Sequence, residues 1–199
     1  MNTIKTEYMS VGIILGDLTL ENDITVEDVD QYKYLGVTFK SEGKNAAEIH
    51  NRIALNRKLI DALNEILWSK NIKRKSKIRI YNSVVKGELT YGSEIWTVTQ
   101  NDKMEILATD MDVIGRFARI SKLEHRVHNY IRHLMEVKKS VVEEIEEKQL
   151  KRYGHVQRID ERRLPKQILK CAPPGRSKER WPKKNWDQGI KQSMKERPK

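Results

Sequence analysis

The segment from Lys77 to Trp96, KIRIYNSVVKGELTYGSEIW, most constrains how this chain can fold. It is the densest apolar and aromatic run in a polar sequence, which is 34% charged with a mean hydropathy of -0.72. Ile78, Tyr81, Val85 and Leu89 recur three or four residues apart, which is one face of an amphipathic helix. The pattern stops at Tyr91-Gly92-Ser93, and Trp96 closes it. The spacing predicts a core helix that runs into a glycine-marked turn, with Tyr91 and Trp96 directed inward. Periodicity alone fits a plain core helix equally well.

Charge is distributed unevenly. The formal net charge is +11, yet residues 1–30 hold one Lys against seven acids. Residues 148–199 hold 17 Lys and Arg against five acids. A basic C-terminal part of this kind suits a polyanion, nucleic acid before an anionic membrane. The single cysteine, Cys171, excludes an intramolecular disulfide and fits a reducing compartment. No signal peptide is visible, and the run Val11 to Leu15 is too short to span a bilayer. These features predict a nuclear or cytoplasmic protein that is neither secreted nor membrane-bound, of open oligomeric state.

Taken in order, residues 1–43 read as short strands at Tyr8–Val11, Asp17–Leu20, Ile24–Val26 and Tyr32–Phe39, an antiparallel meander of three or four strands. Residues 44–158 read as a helical bundle. A long helix over 44–68 carries the stripe Ile49, Ile53, Ile60, Leu63 and Leu67, and a basic helix starts near Lys73. Thr99-Gln100-Asn101-Asp102 has capping-box form, and the helix after it directs Met104, Leu107, Met111, Ile114 and Ala118 inward. Val127, Ile131 and Leu134 follow at helical spacing. Ser140-Val141-Val142-Glu143 opens a helix to about Arg158. Residues 159–199 hold the chain's prolines and read as a basic, partly extended tail with a short helix. The fold class is thus α+β, mostly α: an N-terminal β segment, a helical body and a tail.

Most enzyme chemistries find no residues here. His125, His128, His133, His155 and Cys171 show no zinc-ligand spacing. Gly12 and Gly16 lack the Gly-Lys-Ser/Thr context of a phosphate loop, and no nucleophile elbow occurs. Nucleotidyl transfer needs carboxylates converging on divalent cations, and no Asp-Asp pair is present. No metal-binding and no catalytic residue is assigned.

The run IYNSVVKGELTYGSEIWTVT resembles the thumb region of reverse transcriptases encoded by non-LTR retrotransposons. The similarity extends along the chain. Asn2 to Met9, with Lys5-Thr6, resembles the end of the polymerase palm; Tyr34-Leu35-Gly36 resembles the primer-grip turn. Gly115 to Arg119, His125 to Asn129 and Arg152-Tyr153-Gly154-His155 resemble basic segments that follow the Tyr-Gly-Ser-Glu-x-Trp box. Glu179-Arg180-Trp181-Pro182 departs from the family's Arg-Gly-Arg-Pro.

The resemblance implies an RNA-directed DNA polymerase fragment that holds RNA, DNA or an RNA–DNA hybrid. Mg²⁺ would belong only to the full-length polymerase, whose catalytic Asp residues lie upstream. Lys5 would be palm-lysine-like, and Tyr34, Leu35 and Gly36 primer-grip-like. Arg52, Arg57, Arg74, Lys75, Lys77, Arg79, Arg116, Arg119, Arg126, Lys151, Arg152, Arg158, Arg162, Arg163, Arg176, Arg180, Lys183 and Lys184 would contact phosphates. Trp181 and Trp186 would either stack on bases or pin the tail to the body. A relic or domesticated helical module that binds nucleic acid or protein, with no polymerase role, fits the charge equally well.

Overall fold

A computed structural model describes residues 6–10, 16–20, 24–43, 45–170 and 185–196. Its N-terminal part holds two separate antiparallel pairs, β1 (Leu18–Thr19) with β2 (Thr25–Val26), and β3 (Gln31–Tyr34) with β4 (Val37–Lys40). The sequence suggests one meander. Among the described residues the two pairs do not join into one sheet, and a single bridge from Tyr8 to Asp28 adds to them. β3 and β4 pair in register from Tyr34↔Val37 to Gln31↔Lys40, which leaves Leu35 and Gly36 as a two-residue turn. Both turn residues take positive φ, 48° and 79°, the backbone of a type I′ hairpin.

The helices follow as α1 (Ala46–Ala62), α2 (Asn64–Trp68), α3 (Arg74–Ile80), α4 (Lys86–Leu89), α5 (Gln100–Ala118), α6 (His128–Leu134), α7 (Val141–Arg158), α8 (Leu164–Lys170) and α9 (Trp186–Glu196). The expected helix over 44–68 therefore breaks at Leu63 into two. Both anticipated capping boxes form: Thr99 accepts from Asp102 N, and Ser140 accepts from Glu143 N. The basic tail, expected to be partly extended, is helical over residues 164–170. Leu164 starts α8, and Pro165 sits in its first turn, where the missing N–H loses no helical bond.

Between α3 and α4 the helix widens into a π turn, Tyr81–Val85. Tyr81, Val85 and Leu89 are all at most 1% exposed at a spacing of four. Residues four apart stay on one side of a helix over this length, so all three side chains reach the core. Asn56 of α1 donates Nδ2–H to the Val85 carbonyl at 2.7 Å, supporting the widened turn from outside.

The core lies in two clusters. Ile60, Leu67, Tyr81, Val85, Val113, Ile114 and Phe117 form one, and Ile49, Ile53, Leu89, Trp96, Ile106, Val141 and Ile145 the other. The Lys77–Trp96 segment contributes to both and so joins the halves of the body. Met104, expected inside, is 58% exposed, and Val127 and Leu134 are exposed beside a buried Ile131.

Candidate nucleic-acid interface

The β3–β4 turn is held in place by a buried arginine. Arg52 of α1 donates Nε–H to Glu48 Oε1 at 2.7 Å and Nη1–H to Glu88 Oε1 at 2.8 Å. Its Nη2 donates to the Gly36 carbonyl. The guanidinium lies 4.7 Å from the Tyr91 ring centroid, and Tyr91 donates its hydroxyl to the Leu35 carbonyl at 2.8 Å. Glu48 also accepts from the Thr38 N–H at 2.9 Å. Every turn carbonyl is therefore engaged from behind, while Tyr34 (57% exposed) and Leu35 (73%) project forward. A leucine at positive φ is strained, and such strain persists only where surroundings fix it.

The Tyr91–Trp96 box ties this turn to the C-terminal helices. Gly92 takes φ 71°, and a Cβ on it would come within 2.9 Å of Val37. Gln149 of α7 donates to the Ser93 carbonyl (3.1 Å) and the Trp96 carbonyl (2.9 Å). Lys148 donates to Thr90 Oγ1 at 2.6 Å. Trp186 of α9 donates Nε1–H to the Glu94 carbonyl at 3.0 Å and lies 6.1 Å from the Tyr153 ring. Trp186 thus pins α9 to the body. Trp96 is buried as expected, but Tyr91 is 46% exposed, because its hydroxyl reaches sideways to the turn.

The cations expected to meet phosphates separate into three groups. Arg52 and Lys77 are 6% and 3% exposed, so neither presents its charge at the surface, and the expectation of phosphate contact is corrected for both. Lys77 donates Nζ–H to the Leu67 carbonyl (2.8 Å) and the Phe117 carbonyl (3.1 Å). Burial, and then the nearby Arg119 charge, lower its pKa from the ordinary lysine value. Arg74 and Arg116 are paired, with Glu136 at 2.5 Å and Asp112 at 3.0 Å. Arg126 lies over the Tyr130 ring, 5.7 Å from its centroid.

The third group is exposed and carries no ion pair among the described residues: Arg57, Lys75, Arg79, Arg119, Lys151, Arg152, Arg158, Arg162 and Arg163. Five of these nine lie between 151 and 163. On α7, Lys151, His155 and Arg158 share one face at i, i+4, i+7 and span about 10 Å of helix, with Arg152 beside them. Lys166, 8 % exposed, turns inward instead and donates to the Gln157 carbonyl at 2.5 Å, capping the C-terminal end of α7. Lys5, Arg176, Arg180, Lys183, Lys184 and Trp181 lie outside the described residues.

Sequence reasoning missed the carboxylates and amides that build the clamp. Glu48 and Arg52 stand four apart on a helix, a spacing that signals pairing. Nothing in the sequence signals Glu88, Lys148 or Gln149.

A second buried polar group lies behind the box. Tyr81 donates its hydroxyl to Asp110 Oδ1 at 2.6 Å, with Arg132 3.8 Å from Oδ2. Burial foremost, and then the Asp110 charge, push the Tyr81 pKa up. Burial pushes the Asp110 pKa up as well, against the Tyr81 hydrogen bond and the Arg132 charge. Among the described residues no three His, Cys, Asp or Glu side chains gather into a metal-binding group. None of the described helices is long and apolar enough to cross a membrane.

No family model and no solved structure matches the chain. It does match a transposon-derived protein. Over 170 residues it is 27% identical to an uncharacterized transposon-derived protein of Caenorhabditis elegans, covering 78% of this chain and 59% of that one. The chain thus spans about three fifths of its relative's length. The relationship points to a transposon-related origin.

Proposed function

We propose that this transposon-related chain is a nucleic-acid-holding body, the thumb-type part of a retrotransposon reverse transcriptase. It grips the backbone of a primer–template and performs no nucleotidyl transfer itself. The observation that carries this reading is the row Lys151, Arg152, Arg158, Arg162 and Arg163. These five cations are exposed and carry no ion pair among the described residues, while the buried Arg52 and Lys77 are tied to carboxylates and carbonyls. Cations kept free of partners suit phosphates, which are bound by charge and without sequence readout. The clamped turn adds an exposed apolar tip, Tyr34-Leu35, whose backbone is preorganised to meet the sugar–base end of a strand.

The test is binding and extension with the full chain. A recessed-end RNA–DNA duplex is expected to bind more tightly than a blunt duplex or a single strand, with no extension in Mg²⁺ or Mn²⁺ plus nucleotides. Extension would contradict the non-catalytic role. Equal affinity for every polyanion would instead favour a generic basic module.

A further inference from the structure

Lys122 to Tyr130 are nine consecutive exposed residues. Three are large and apolar: Leu123 is 84% exposed, Val127 70% and Tyr130 52%. The backbone that presents them is held at both ends. Ser121 donates its N–H to Glu124 Oε1 at 2.8 Å, within a reciprocal cap. Lys122 Nζ reaches Asp112 Oδ1 at 2.9 Å. Arg74 donates to the Leu134 carbonyl at 3.1 Å, and Ile131 and Met135 sink into the core behind. Three large apolar groups left in water within eight residues, on a support fixed at both ends, suit a binding surface.

The surrounding charge indicates the occupant. Glu124 is the only acid between residues 122 and 133, and it is turned back onto Ser121. Arg126 lies over Tyr130, and His125 and His128 flank it. The face therefore offers an aromatic ring, an arginine plane and no free carboxylate. Unpaired bases stack on aromatic and guanidinium planes, and their phosphates seek the adjoining cation.

We propose that the Leu123–Tyr130 surface binds the unpaired bases of single-stranded nucleic acid, with Tyr130 as the stacking platform, Arg126 as its cation, and Leu123 and Val127 as apolar flanks. This rests on the nucleic-acid-holding reading and adds the substrate class, a nucleic acid with a single-stranded segment. Phosphate contacts along α7 grip any strand, whereas this surface discriminates single-stranded from paired.

The test uses the full chain and a single-stranded oligonucleotide carrying a fluorescent adenine analogue, beside a blunt duplex of the same sequence. Wild type is expected to quench the analogue. Tyr130→Ala should weaken single-strand binding about tenfold, the size of one base–aromatic stack, and leave duplex binding unchanged. Tyr130→Trp should restore it. Tyr130 is exposed, so neither change threatens the core. Unchanged single-strand binding in Tyr130→Ala, or an equal loss on duplex, overturns the proposal. So does a concentration-dependent dimer, or binding of an acidic peptide, that Leu123→Ser/Val127→Ser abolishes. Loss in Tyr130→Ala with none in an α7 variant would sink the phosphate-row reading and leave this one standing.

Discussion

Replacing Lys151, Arg152 and Arg158 together with Gln removes three of the five exposed lysines and arginines between residues 151 and 163. Gln keeps helix propensity, and these three side chains carry no ion pair among the described residues, so stability should move by no more than about 0.5 kcal/mol. Binding should change much more, and in a way that depends on salt. Each phosphate neutralised on a duplex contributes about -0.9 to the slope of log K against log salt. Five contacts give a slope of about -4.5, and two remaining contacts about -1.8. From 50 to 200 mM salt, wild type should lose about 500-fold in affinity and the variant about 12-fold. On single strands the slopes should be about -3.5 and -1.4. Fluorescence anisotropy across a KCl series measures both. Arg116→Gln is the control, because Arg116 is already paired with Asp112 and should leave the slope unchanged. A triple variant whose slope matches wild type would refute the assignment of these residues to phosphates.

The remaining predictions concern the clamp and the buried polar groups. Arg52→Ala strands Glu48, whose side chain is fully buried, and should lower stability by about 3–5 kcal/mol in urea unfolding. Tyr91→Phe removes the bond to the Leu35 carbonyl but keeps the ring under Arg52. It should cost about 0.5–1.5 kcal/mol and speed amide exchange in the β3–β4 turn. Gly92→Ala must hold a left-handed backbone against Val37 and should destabilise by at least about 1–2 kcal/mol in the same assay. Asp110 holds its proton in the fold above the ordinary aspartate value of 3.8, because burial disfavours the charge. Over that window the folded state binds more protons than the unfolded, so stability falls as pH rises. Asp110→Asn lacks this term, so its stability relative to wild type should improve as pH climbs from about 4, read by urea unfolding at several pH values.

Features with a local physical cause were legible in the sequence. Thr99 and Ser140 announce helix starts because a hydroxyl and an acid three residues on satisfy amides within one turn. Tyr81, Val85, Leu89 and Trp96 announce the core by spacing and size. The turn at Leu35-Gly36 was indicated only by the family resemblance, since residue preferences alone read Tyr32–Phe39 as one strand where the structure folds it into β3 and β4. Features set by tertiary partners were hidden. Arg52 and Lys77 read as surface cations, since nothing local tells a buried arginine with two carboxylates from an exposed one. The π turn is bonded by Asn56 from another helix, and Lys166 of α8 bonds back to the end of α7. Tyr91 looked like a core aromatic because its partner, the Leu35 carbonyl, lies 56 residues away.

The central claim is that this chain holds nucleic acid through a dedicated surface. The most direct measurement is competition binding of the full chain to a recessed-end RNA–DNA duplex, against a blunt duplex, a single strand and a non-nucleic polyanion such as heparin. The account predicts that the recessed-end substrate wins, since it offers phosphates to α7, a strand end to Tyr34-Leu35 and unpaired bases to Tyr130. Equal competition by all four, with equal salt slopes, would contradict it and leave only a basic surface without a dedicated site.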